Sequence, residues 1–123
     1  MNENKDNISK IKAKIAYLMT KRGTCEKYLL ARHKMINASF VEMRTLAGGR
    51  MRKTPAYYLS RKVGGVTKLA YVKKSDLNIV ERRALAWKYY SANLAKFSKI
   101  SKEIESYFRI LGVLSLDIPD RYR

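Results

Sequence analysis

One cysteine and one histidine in 123 residues exclude an internal disulfide and fall short of the four ligands that tetrahedral zinc requires. Cys25 and His33 have no second thiol or imidazole to join them, so Cys25 reads as a packed helix residue. No metal or other cofactor is expected. Long hydrophobic runs are also lacking, since none approaches the roughly 18 consecutive apolar residues of a membrane span. The opening segment MNENKDNISK has no apolar core of a secretory signal, which predicts a cytoplasmic protein. Acidic residues are scarce, at 10 against 27 Lys and Arg. Nucleases commonly gather carboxylates around divalent cations, and the scarcity disfavours that chemistry. What is present suffices for one domain: apolar residues make up 46% of the chain, enough for a core and against wholesale disorder.

The net charge of +17 points to a polyanionic partner. Between Glu42 and Asp76 there is no acidic residue, and the window holds Arg44, Arg50, Arg52, Lys53, Arg61, Lys62, Lys68, Lys73 and Lys74. A second acid-free run, Arg82 to Lys102, adds Arg83, Lys88, Lys96 and Lys99. A single such run is ordinarily a solvated face; two of this length favour nucleic acid, DNA or RNA. A membrane surface fits less well, because no segment combines a basic helix face with a Trp/Phe insertion face.

Periodicity supplies the elements. Ile8, Ile11, Ile15 and Leu18 recur at helical spacing, widened by Met19, and predict an N-terminal helical segment over 1–35. Gly23 weakens it or divides it in two. The run Ser39–Leu46 is rich in strand formers, and 47–55 reads as a basic glycine loop. Next, Ala56–Val63 and Val66–Val72 flank Gly64-Gly65, the sequence form of a hairpin with a two-residue loop. That loop sets Val63 opposite Val66. It places Tyr57, Leu59 and Val63 on a core face, and Tyr58 opposite Tyr71 on the other. Arg61 and Lys68 then oppose each other near a tip that overhangs the core. Ser75 and Asp76 suit a helix N-cap, and a long helix is expected over 75–111, followed by a docked tail at 112–123. In this helix Trp87, Leu94, Ser101 and Phe108 repeat every seven residues, as do Tyr90, Phe97, Ile104 and Leu111, which predicts a helix–helix seam. The fold class is therefore α+β: a three-stranded antiparallel sheet over 38–73 between an N-terminal helix and a long C-terminal one.

Candidate sites follow from charge and aromatics. Phosphate contacts are expected from Arg50, Arg52, Lys53, Arg61, Lys62, Lys68, Lys73 and Lys74. Tyr58 and Tyr71 are expected to lie against bases or sugars. The glycine loop leads past Pro55 into a strand-like segment instead of opening directly onto the helix of a phosphate-binding loop, so only its charge is expected to act there. Trp87, Phe97, Ile104 and Phe108 are read as a seam that exceeds what the N-terminal stripe covers, hence an interface in a homodimer or with a partner protein. His33 has no evident catalytic partner, and a tyrosine nucleophile stays open as a third reading.

The run TPAYYLSRKVGGVTKLAYVKKSDL with the helix NIVERRALAWKYYSANLAKFSKISKEI resembles a family of short prokaryotic proteins of unknown function, often encoded near transposases. Its pattern is matched by Ala38-Ser39-Phe40-Val41-Glu42, by Tyr57-Tyr58-Leu59-Ser60 with Gly64-Gly65, and by Tyr71-Val72, over roughly residues 36 to 105. Where that family carries closely spaced cysteines, Leu46 to Lys53 carries none. The resemblance implies a mobile-element or phage context but no activity. The expected function is non-catalytic nucleic-acid binding as an accessory to a mobile-element, phage or defence nucleoprotein complex. The alternative is an anti-CRISPR-like or antitoxin-like modulator that docks on a protein–RNA complex.

Overall fold

The computed structural model describes residues 2–44, 46–47, 50–51 and 54–123, with the backbone alone at 2–3, 46–47 and 50–51. Helix α1 spans Asn2–Leu30 and strand β1 Ser39–Met43. Two-residue strands β2, Leu46–Ala47, and β3, Arg50–Met51, pair antiparallel. Strands β4, Ala56–Val63, and β5, Val66–Tyr71, form the hairpin, and helix α2 runs Leu77–Leu114. The sheet has the order β1-β4-β5, antiparallel throughout. The expected α+β arrangement is the one observed. The first strand ends at Met43 rather than at the expected Leu46; Leu46 instead opens β2, whose pairing with β3 otherwise lies in the stretch expected to be a loop. Two compact units divide the chain, Met1–Ala31 with Ala92–Arg123, and Arg32–Ser91, with α2 contributing to both.

In the helical unit, Ile15, Leu18 and Cys25 of α1 pack with Ile100 and Ile104 of α2, flanked by Ile11, Phe97, Tyr107 and Leu111. Of the expected α1 stripe, Ile11, Ile15 and Leu18 are in the core, which extends to Cys25, whereas Ile8 is not part of it and Met19 is exposed; Gly23 does not break the helix. The α2 seam is rotated by one residue from expectation. Phe97, Ile104 and Leu111 face inward, but their companions are Ile100 and Tyr107, while Leu94 and Phe108 are each 47% exposed. Both choices give alternating spacings of three and four, so α2 offers two overlapping seams and α1 takes one. The helix also continues through Gly112, and the Ser115 N–H and Oγ both donate to the Leu111 carbonyl at its end. The tail is not docked as expected: every residue from Ser115 onward is exposed.

In the sheet-bearing unit, the backbone past α1 runs beside α2, where the Ile36 N–H donates to the Arg83 carbonyl at 3.1 Å. Ala38, Val72 and Ala84 are its buried residues among those described. The hairpin register is the expected one, from Val63↔Val66 to Tyr58↔Tyr71. Gly64 and Gly65 both have positive φ, 59° and 81°, as a type I′ turn demands. From Arg61 to Tyr71 every residue is exposed, so the tip does overhang. Ser75 and Asp76, expected at the N-cap of the long helix, directly precede α2. They lie in a 3-10 turn, Lys74–Asp76, whose N-cap position is Lys73 and which has no side-chain cap.

Strand β5 forms one edge of the sheet. The Val72 N–H donates to the Tyr57 carbonyl at 2.8 Å, and antiparallel bonding alternates by two residues. The N–H and C=O groups of Thr67, Leu69 and Tyr71 therefore point outward along that edge.

Candidate nucleic-acid interface

Side chains alternate across a strand, so the register assigns every sheet residue to a face. One face carries Phe40, Tyr57, Leu59, Arg61, Lys68 and Ala70; the other carries Val41, Tyr58, Ser60, Lys62, Leu69 and Tyr71. On the first, Phe40 stacks on Tyr57 with centroids 5.2 Å apart and planes 15° from parallel. On the second, Tyr58 and Tyr71 meet edge to face at 5.7 Å and 70°. Their environments differ. Tyr71, on the edge strand, is 64% exposed, whereas Tyr58, on the central strand, is half-buried. The two tyrosines share the face expected of them; Tyr71 is exposed there, and Tyr58 is half-buried because β1 and β5 flank it on either side.

Arg61 and Lys68 stand directly opposite each other and both are exposed. Like charges so placed repel, and a phosphate between them would replace repulsion with attraction on both sides. Lys62 lies across from Thr67 at the tip, and Lys73 and Lys74 follow β5; all three lysines are exposed. The unit Arg32–Ser91 holds fourteen Lys and Arg against Glu42, Asp76 and Glu81. One of those acids, Glu42, already faces Arg44 at 3.6 Å.

The expected contact residues are thus brought together unequally. Tyr58, Tyr71, Arg61, Lys62 and Lys68 share the hairpin, with Lys73 and Lys74 at its base. Of Arg50 the structure gives only its backbone in β3, and Arg52 and Lys53 lie outside the described residues. The residues expected at an intermolecular seam separate. Ile104 is 3% exposed, and Phe97 packs beside it in the helical core, so α1 already occupies those positions. Phe108 is exposed, and Trp87 is 37% exposed in the sheet-bearing unit.

Sequence reasoning did not find a groove of about 680 Å³ at the tip end of the sheet, lined by Ser39, Ser60, Thr67, Arg61, Lys62 and Trp87 among others. Two of its hydroxyls come from the cross-strand neighbours Ser39 and Ser60, and a third from Thr67, which stands opposite Lys62. The pattern becomes visible only once β1 is known to pair with β4. Among the described residues no group of three or more His, Cys, Asp or Glu is gathered as a metal site would require. No helix among them is long and apolar enough to cross a membrane. No protein-family model matches the chain, and no curated protein or solved structure matches it either.

Proposed function

We propose that the protein is a non-catalytic nucleic-acid-binding accessory, acting in a prokaryotic mobile-element, phage or defence nucleoprotein complex. The observation that carries this reading is the hairpin. An exposed tyrosine and its edge-to-face partner lie on the same face as Lys62, with Arg61 and Lys68 opposed on the other face of the hairpin and no described acid paired to these cations. Phosphates are bound through the cations, and bases or sugars rest on Tyr71, held in place by Tyr58. The mobile-element context comes from the family resemblance of the hairpin and long helix.

The test is recovery and sequencing of nucleic acid that co-purifies with the protein, followed by titration of the stripped protein with that material. Saturable binding by the isolated protein is the expected result. Binding only after a larger protein–RNA assembly is added would replace this reading with that of a docking modulator.

A further inference from the structure

We propose that the groove at the tip end of the sheet receives an unpaired nucleotide of a single strand, with Trp87 as a stacking residue. This deepens the nucleic-acid reading and rests on it. The groove joins three kinds of group that one nucleotide needs. Trp87 lines it with a partly exposed indole. That indole lies 12° from parallel to Tyr90 at 6.3 Å, so a neighbouring ring supports its plane. Arg61 and Lys62 supply positive charge from the hairpin, and Ser39, Ser60 and Thr67 supply hydroxyls that donate to phosphate or sugar oxygens. None of the lining residues is acidic.

Continuity with the tyrosine pair adds direction. Ser60, Lys62 and Thr67 belong to the same sheet face as Tyr58 and Tyr71. From Thr67 to Tyr71 the face extends over about 13 Å at the usual strand rise, a length on the scale of the two or three bases that open sheets stack. A strand laid along this face passes from tyrosine to hydroxyls to indole. A duplex cannot use it, because paired bases offer no free ring face to Tyr71 or Trp87.

Trp87 is the sole tryptophan, so the tryptophan emission comes entirely from a residue that lines this groove. The experiment titrates the full chain with a labelled oligothymidylate, following strand anisotropy and Trp87 emission together. A duplex of equal length and thymidine monophosphate serve as separate arms. The expected result is quenching that follows the binding curve for the strand and is much weaker for duplex and mononucleotide. Trp87→Ala should weaken strand binding by about 5- to 150-fold, the loss of one stacked base, and Trp87→Phe should restore most of it. Strand binding with unchanged Trp87 emission would overturn the groove and leave the nucleic-acid reading standing. Absence of binding in every arm would overturn both. Equal quenching by duplex, or by the mononucleotide, would overturn the single-strand assignment. If Trp87→Ala fails to fold, the wild-type emission titration decides alone.

Discussion

Tyr71 and Tyr58 share a face, but only Tyr58 has strands on both sides, and that difference separates binding from stability. Tyr71→Ala removes an exposed ring from an edge strand. It should cost about 1–3 kcal/mol in single-strand affinity and only about 0.2–1 kcal/mol in stability, the worth of a cross-strand pair. Tyr58→Ala should cost about 1–2 kcal/mol in stability, since it gives up part of a buried aromatic surface. Urea melts beside strand titrations check both, and a Tyr71→Ala variant of full affinity would remove the tyrosine from the interface. The opposition of these residues was legible in the sequence, because a two-residue Gly-Gly loop leaves one register. Their unequal burial was not, because it depends on β1, which joins the sheet through non-local pairing. Cys25 shows the other extreme, at 2% exposure in the helical core. Its thiol should react with a disulfide reagent only as fast as that core opens, so labelling rates in rising urea should track the loss of helix signal.

At the scale of elements, the described glycines separate into the pair the hairpin turn requires and those, Gly23 and Gly112, that a helix merely tolerates. Gly65 has φ +81° at the hairpin tip, a region that costs an L residue about 1–2 kcal/mol. Gly65→Ala should therefore lower stability by about that amount, although nothing crowds the added methyl. Gly23 lies inside α1 with nothing within 4 Å of an added Cβ. Gly23→Ala should raise stability by about 0.5–1 kcal/mol, read as a higher midpoint at unchanged slope in denaturant. The weakness at Gly23 was visible in the sequence. That α1 runs through it was not, because packing of Ile15, Leu18 and Cys25 on α2 outweighs the local propensity. Helix α2 shows a different kind of ambiguity. Its apolar residues fit two seams that share Phe97, Ile104 and Leu111, and periodicity alone cannot say whether Ile100 and Tyr107 or Leu94 and Phe108 complete the set. The β2–β3 pair escaped notice because two-residue strands carry too little sequence to show an alternation.

Across the whole molecule, the dominant quantity is a charge of +17, most concentrated in the sheet-bearing unit. If six or more phosphates are neutralised, affinity should fall by about three orders of magnitude between roughly 50 and 200 mM salt. Lys62→Gln with Lys68→Gln should flatten that slope, by about one power of salt for each charge lost, without changing base preference. A salt-independent affinity would rule out charge as the source of binding. Composition made this legible from the start, whereas the groove beside Trp87 needed the fold to assemble it. The outward backbone groups of Thr67, Leu69 and Tyr71 bear on handling. An open sheet edge invites a like edge from another molecule, and lysine on the strand is a common guard against it. That guard is electrostatic, so the salt that strips bound polyanion also lowers the colloidal barrier between bare molecules. Concentrated, nucleic-acid-free protein should then cloud as ionic strength rises, and a Leu69→Lys variant should stay clear under the same conditions.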